Sequence, residues 1–303
     1  MNSRIPRLLP RSRQRRLLLG LATVLGLAPR GFFIPYRYRK DAPQALPPYL
    51  PVLRLFREHH DPFLDLLAGI DAFAAELLRI DGEAPPSPRW NQDWFPRLDA
   101  AVAYTIVRKM QPARILEVGA GHSTRFLARA VADGGLDTLL TTIDPAPRAR
   151  LDGLDVRIIN KTLEQAGERP FLDLDSGDIL SIDSSHVLMP GTDVDILLNR
   201  ILPHLPSGLV VHFHDIFLPD GYPEAWGWRG YNEQLGVATL LHGGEWRVLW
   251  SSHYVGSRMA AAVARTVAGR LILLPEALES SLWLEKRRGA DRALQAGSPL
   301  SDE

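Results

Sequence analysis

The sequence predicts an α/β protein whose parallel sheet is covered by helices on both faces. The main observation is that short, nearly all-apolar strand patterns alternate with helical patterns beyond residue 98. Strands buried on both faces of a parallel sheet show such continuous apolar runs. The second observation is the composition: 303 residues, 46% hydrophobic and 23% charged, are typical of a chain that buries one sizeable core.

The first 42 residues form a basic and apolar arm. Ten of the 35 Lys and Arg residues lie within positions 1–40, where there is no acidic residue. The apolar run from Leu17 to Ala28 is shorter than the roughly 20 residues of a spanning helix. A cleaved signal, a basic helix on anionic lipid and a helix packed on protein all fit this pattern. We expect a cytoplasmic protein with peripheral contact at the inner membrane through residues 1–40.

Two classes of interaction are disfavoured by composition. The chain has no cysteine, so it contains neither a disulfide framework nor a thiolate metal site, and an intracellular compartment fits this usage. The excess of positive charge lies in the arm, and the remaining chain has more acidic than basic residues, which argues against a nucleic-acid partner.

A helical cap is predicted for residues 43–98, where proline clusters flank apolar residues recurring at threes and fours. A further helix from Leu98 to Met110 opens a catalytic domain over residues 99–287, and residues 288–303 read as a flexible tail. The strand patterns that follow are RILEV, TLLTTID, DVRII, DILSID and LVVHFHDIF, and the intervening helices are STRFLARAVADG and DVDILLNRILPHL.

The turn EVGAGHSTR, residues 117–125, joins the first strand to its helix. Gly119 and Gly121 permit a sharp turn and close approach of a ligand, and Ser123 or Thr124 can cap the helix. The third glycine of a dinucleotide fingerprint is missing, and Glu117 would repel a pyrophosphate. A cationic or zwitterionic ligand therefore suits this turn better.

Acidic residues end three of the predicted strands. Asp144, after the second strand, can accept ribose hydroxyls or cap a turn. Asp183 and Asp215 end neighbouring strands, whose carboxyl edges face one cleft and can hold a divalent cation. Strand alternation within HFHDIF points His212 and His214 to one face; His212 is expected to be a supporting core residue, whereas His214 and Asp215 lie near the cleft.

The motifs ILEVGAGHSTR and IDPAPR resemble the first two motifs of class I S-adenosylmethionine-dependent methyltransferases. Over about residues 89–287, including SLWLEK, the chain is similar to family 24 methyltransferases, relatives of macrolide-sugar O-methyltransferases. The resemblance implies a Rossmann-like, doubly wound, seven-stranded sheet with an antiparallel last strand. It also implies cofactor contacts, with Asp144 on the ribose; the predicted set is Glu117, Gly119, Gly121, Ser123, Thr124, Asp144 and Asp183.

The same resemblance implies a divalent metal, Mg or Mn, held by Asp183, His214 and Asp215, with His186 as general base and Asp183 as its catalytic partner. The chain departs from the pattern because His214 replaces an acid and Ser184 and Ser185 follow Asp183. A histidine ligand shifts metal preference away from Mg.

The expected function is O-methylation of a sugar or another polyhydroxylated small-molecule or glycan acceptor. The aromatic segment LPDGYPEAWGWRGYNEQ would border the acceptor, although it can equally be a packing loop. One alternative is a catalytically silent scaffold at the membrane surface. A nicotinamide-dependent oxidoreductase is disfavoured by the missing third glycine.

Overall fold

The computed structural model describes residues 11–32, 34–43, 46–80 and 84–287, and of residues 11–13 only the backbone. The chain divides into two compact units, Met1–Ala45 and Leu46–Glu303. The predicted C-terminal tail, residues 288–303, and the first ten residues of the predicted arm lie outside the described residues.

The first unit contains helix α1 (Arg11–Val24) and a 3₁₀ turn at Arg39–Asp41. Large apolar side chains are exposed throughout it: Leu17, Leu18, Leu21, Val24, Leu25, Leu27, Phe32, Ile34, Tyr36 and Tyr38. Within the described ranges, no helix combines the length and hydropathy that a bilayer crossing requires.

The second unit is a seven-stranded sheet with helices packed against it. Its strands are β1 (Arg114–Val118), β2 (Leu139–Ile143), β3 (Arg157–Ile159), β4 (Ile179–Ile182), β5 (Val210–Phe213), β6 (Trp246–Ser251) and β7 (Leu282–Lys286). Its helices are α2 (Leu50–Glu58), α3 (His60–Asp71), α4 (Ala74–Arg79), α5 (Arg97–Met110), α6 (His122–Gly134), α7 (Leu163–Ala166), α8 (Asp193–Ile196), α9 (Glu233–His242), α10 (Ser252–Arg258) and α11 (Ala260–Val263).

The strand order β3-β2-β1-β4-β5-β7-β6 confirms the predicted Rossmann-like sheet. Strands β1 to β5 are parallel to one another, and β7 runs antiparallel between β5 and β6. The strand order reverses between β1 and β4, so their carboxyl ends border the crevice where ligands bind in such sheets.

Helices α2 to α4 share the core of the sheet. Phe63 is fully buried with its ring centre 6.0 Å from that of Trp250 on β6, and Phe56 lies 5.5 Å from Tyr254 on α10. Burying each such aromatic side chain contributes about 1.5–3 kcal/mol. The apolar residues that recur at threes and fours in this part of the sequence therefore belong to helices that cover the end of the sheet near β6.

Two predicted elements are shorter than expected. The helix predicted for residues 193–205 continues from α8 as a π turn at Leu197–Ile201 and a 3₁₀ turn at Leu202–His204, because Pro203 lacks the N–H that an α-helix needs. The strand predicted for residues 209–217 pairs only over Val210–Phe213. Asp215 has a φ of 57°, so the chain leaves the sheet there and strict side-chain alternation ends before the acid.

Candidate active site

The glycine turn after β1 lies directly against β4. Gly119 has a φ of 85°, and a Cβ added to it would lie 2.2 Å from the Asp183 carbonyl oxygen. Its N–H donates to the Ile143 carbonyl at 2.9 Å. A Cβ added to Gly121 meets nothing within 4 Å. Gly119 is therefore required by the fold, whereas Gly121 keeps open the space above the turn.

Glu117 lies beneath this turn and is not among the residues that line the cleft. Its carboxylate is fully buried and accepts hydrogen bonds from the hydroxyls of Ser123 at 2.6 Å and Thr124 at 2.5 Å. Thr124 also accepts from the Gly121 N–H at 2.9 Å. Burial raises the pKa of Glu117 to about 8, although the two hydroxyls oppose the shift. The glutamate thus fixes the start of α6 from below, and the Thr124 side chain faces it.

Asp144 follows β2 at the edge of the cleft. Its two oxygens accept from the Ala120 N–H at 2.7 Å and the Ala146 N–H at 2.6 Å. These contacts hold the carboxylate beside the glycine turn, at the position where parallel-sheet folds bind a ribose.

One cleft of about 550 Å³ joins the predicted residues at the carboxyl edge of the sheet. One half is lined by Trp94, Gly119, Gly121, Ser123, Asp144 and Arg148, and the other half by Asp183, His186, His214, Asp215, Trp226, Arg229 and Tyr231. The cleft therefore brings together the predicted site residues except Glu117 and Thr124.

His186 is fixed at the centre of the second half. Its backbone has a φ of 60°, and its carbonyl accepts from the N–H groups of Asn232 and Glu233 at the start of α9. Its Nδ1 lies 2.7 Å from Glu233 Oε2. Its Nε2 faces the cleft, 3.2 Å from Asp183 Oδ1 and 3.5 Å from Asp215 Oδ2. The ring is thus oriented by one carboxylate and presents its other nitrogen to a ligand.

The charges around His186 change the protonation expected from an unperturbed imidazole. Burial lowers the pKa of His186, but hydrogen bonds to Asp183 and Glu233 and the charge of Asp215 outweigh it and hold the pKa well above 6.5. Burial raises the pKa of Glu233, opposed by its hydrogen bond to His186. The resting imidazole is therefore protonated at neutral pH and must lose a proton before it acts as a base.

The other two histidines differ from each other. His214 Nδ1 lies 3.6 Å from Asp183 Oδ1 and 3.5 Å from Asp215 Oδ1, and these charges raise its pKa well above 6.5 against the effect of burial. His212 is held by the hydroxyls of Ser181 at 2.9 Å and Ser281 at 2.8 Å. Burial, together with the His214 charge, lowers the pKa of His212 to about 3. His214 thus borders the cleft, whereas His212 is a neutral residue of the core.

The predicted metal ligands Asp183, His214 and Asp215 lie close together, but the imidazole of His214 is within ion-pair distance of both carboxylates. Within residues 11–32, 34–43, 46–80 and 84–287, no set of three His, Asp or Glu side chains has the geometry to hold an ion. As arranged, these side chains do not fit a divalent metal.

Two buried acids of the site were not among the predicted site residues. Glu233 orients His186, and Asp99 on α5 is fully buried, 3.5 Å from His214 Nε2, with N–H donors from Ser280 and Ser281. The acidic residue within YNEQ was the available signal for Glu233. Asp99 lies in an amphipathic helix pattern in which an acid normally marks the exposed face.

The comparisons with known proteins agree with this architecture. Residues 116–216 match the family 24 profile described as a methyltransferase domain. The match covers a third of the chain and includes the glycine turn, Asp144, Asp183 and Asp215, so this part of the chain is similar to family 24 methyltransferase domains, as the motifs indicate. No curated protein matches the sequence.

Solved structures that are similar have low identity and TM-scores below 0.5. They include the S-adenosylhomocysteine-bound methyltransferase PaMTH1 of Podospora anserina (15% identity, TM-score 0.40, 85% of this chain and all of that one). An O-methyltransferase of Bacillus cereus has 10% identity and a TM-score of 0.41 over 74% and 91% of the chains. TomG of Streptomyces achromogenes has 17% identity and a TM-score of 0.39 over 74% and 90%.

Proposed function

We propose that the protein methylates a hydroxyl group of a ring-shaped, polyhydroxylated acceptor, with His186 as the general base. The observation that carries this proposal is the position of His186 Nε2, which faces the cleft while Nδ1 is held by Glu233. The glycine turn and Asp144 would hold S-adenosylmethionine, which would supply an electrophilic methyl group to the acceptor oxygen and leave as S-adenosylhomocysteine. Neutral His186 accepts the hydroxyl proton on Nε2.

Each half of the cleft has a separate task in this proposal. The glycine turn and Asp144 bind the cofactor, and the aromatic wall of Trp226 and Tyr231 binds the acceptor ring. Transfer needs no covalent enzyme intermediate, so the protein contributes orientation and removal of one proton. The proposed transfer is tested by incubating the protein with methyl-labelled cofactor and with extracts that contain candidate acceptors. Labelled products support transfer, whereas cofactor binding without any labelled product favours the silent scaffold.

Asp144→Ala is expected to weaken S-adenosylhomocysteine binding by about 10- to 100-fold, because it removes charge-assisted hydrogen bonds to the ribose. Isothermal titration calorimetry measures the loss, and circular dichroism checks the fold. Asp155→Ala removes an exposed acid as the matched control. Equal affinities for both variants would exclude Asp144 from cofactor binding.

The proposed transfer proceeds without a metal ion held by Asp183, His214 and Asp215, because no three His, Asp or Glu side chains in the described part of the chain have the geometry to hold one. Chelation followed by addition of Mg or Mn tests this choice. A rate that falls on chelation and returns with one of these ions would require an ion in the mechanism.

The first unit is proposed to bind anionic membrane surfaces. Its exposed leucines and aromatic residues occur together with Arg15, Arg16, Arg30, Arg37, Arg39 and Lys40, the combination used by interfacial helices. The protein is expected to sediment with phosphatidylglycerol vesicles more than with phosphatidylcholine vesicles. Leu18→Glu with Leu25→Glu is expected to abolish this binding, and Leu172→Glu, another exposed leucine, to preserve it. Equal binding of both variants would contradict the proposal.

A further inference from the structure

An arginine lies among aromatic rings at the acceptor end of the cleft. Trp226, Trp228 and Tyr231 surround the Arg229 guanidinium, whose carbon lies 4.0, 5.5 and 5.3 Å from the three ring centres. A backbone hydrogen bond from the Arg229 N–H to the Trp226 carbonyl at 2.8 Å closes the turn that brings them together. These four residues are called the arginine cradle.

The cradle and the proposed base share one ring. Tyr231 lies with its ring centre 4.5 Å from that of His186, and the Arg229 guanidinium is on the same tyrosine at 5.3 Å. Trp226, Arg229 and Tyr231 line the same cleft as His186. A ligand lying along Tyr231 therefore meets the imidazole and the guanidinium together.

The positive charge of the cradle has no carboxylate partner among the described residues. Arg229 Nη1 donates to the Tyr231 hydroxyl at 3.1 Å, and Nε is buried without a hydrogen-bond partner. By contrast, Arg97 pairs with Glu279 and Arg258 with Asp220, while Arg125 donates to a backbone carbonyl and Arg89 Nε is also buried without a partner. Arg229 also lines the cleft, so an anionic ligand bound there can provide the ion pair that no carboxylate of the described residues gives this guanidinium.

The cleft does not supply the missing anion itself. Asp183 and Asp215 are the carboxylates of the acceptor half, and both contact the imidazoles of His186 and His214. Both acids are engaged by these imidazoles at 3.2–3.6 Å, and no ion pair among the described residues joins either of them to Arg229. Guanidinium groups bind carboxylates through two parallel hydrogen bonds, and aromatic stacking holds the guanidinium plane in place.

We propose that the acceptor is a ring compound carrying both a hydroxyl and a carboxylate, as a hexuronic acid does. The carboxylate binds Arg229, the ring lies along Tyr231, and the hydroxyl faces His186. This inference rests on the proposed function and adds the charge of the acceptor to it.

Titration of the full-length protein with two matched probes tests the inference. 4-Nitrophenyl β-D-glucuronide and 4-nitrophenyl β-D-glucoside differ in one carboxylate, and their affinities are measured by calorimetry with and without saturating S-adenosylhomocysteine. The glucuronide is expected to bind about tenfold tighter, and the preference should shrink as salt is added. Arg229→Gln should abolish the preference and Arg229→Lys should retain part of it. Arg265→Gln, an exposed arginine outside the cleft, is the control.

Equal binding of the probes, binding of neither probe, or a preference that survives Arg229→Gln would overturn the inference. S-adenosylhomocysteine affinity, measured on the same samples, separates this failure from failure of the proposed function. If the cofactor binds but the glucuronide is not preferred, only the inference that the acceptor carries a carboxylate is rejected. If the cofactor does not bind, the proposed methyltransferase function is rejected.

Discussion

His186→Ala is expected to lower the rate of methyl transfer by about a hundredfold or more while leaving S-adenosylhomocysteine affinity nearly unchanged. The substitution removes the imidazole whose Nε2 faces the cleft, but the glycine turn and Asp144 lie in the other half. Single-turnover rates with methyl-labelled cofactor measure the first effect and calorimetry the second. His204→Ala removes an exposed histidine and is expected to retain the native rate.

The pH dependence of this rate distinguishes a base from a structural residue. Because the His186 pKa is raised and the base must be neutral, the native rate should rise with pH and level off well above pH 6.5. His186→Ala should lose this rising limb. A variant that keeps both the rate and the limb would show that another group accepts the proton.

Glu233→Gln is expected to move the rising limb to lower pH. The glutamate contributes a hydrogen bond and a charge that raise the pKa of His186, and glutamine preserves shape without the charge. A purely structural role for Glu233 predicts a lower rate with an unmoved midpoint. The complete pH–rate profile of each variant, with melting temperatures as the fold control, separates the two roles.

Gly119→Ala is expected to cost stability, and Gly121→Ala to cost ligand binding. A side chain at Gly119 combines a left-handed backbone, worth about 1–3 kcal/mol, with a clash against the Asp183 carbonyl. At Gly121 the added methyl group meets no atom of the protein within 4 Å and extends into open space above the turn, where the cleft is lined by this residue. The two variants differ by position alone, so each is the control for the other.

Chemical denaturation and cofactor titration together test this pair. We expect a lower free energy of unfolding for Gly119→Ala, and for Gly121→Ala a native free energy with about tenfold or greater loss of S-adenosylhomocysteine affinity. A Gly121→Ala variant that binds the cofactor normally would place the ligand away from the turn.

The sheet could be predicted because its signals are local. Each parallel strand is a short apolar run, and the glycine turn follows β1 directly. Both signals lie within a few consecutive residues, so they can be recognised without knowledge of tertiary contacts. Strand β6, and the end of β5 at Phe213 instead of residue 217, depend on pairing with β7. A local sequence pattern contains no information about that pairing. The left-handed backbone of Asp215 likewise depends on its surroundings, because only a few per cent of non-glycine residues adopt it, even though aspartate does so more readily than most.

The site was predictable where a residue ends a strand and not where a distant element reaches it. Asp144 and Asp183 follow strands, so the topology alone brings them to one edge. Asp99 enters from α5, and Glu233 from α9, through contacts separated by many residues in sequence. Glu117 was predicted as a cofactor-binding residue from its motif, and the sequence did not show that the hydroxyls of Ser123 and Thr124 donate to its buried carboxylate.

The His186 carbonyl accepts hydrogen bonds from the Asn232 and Glu233 N–H groups, which attaches the segment from Trp226 to Glu233 to the loop that carries the proposed base. This single stretch carries the cradle, the ring against which an acceptor would lie, and the acid that orients the base. The cofactor half is built from other parts of the chain. Exchanging residues 226–233 between related enzymes should therefore transplant acceptor preference while cofactor affinity is inherited from the host, which makes the segment a natural unit for evolution and for engineering.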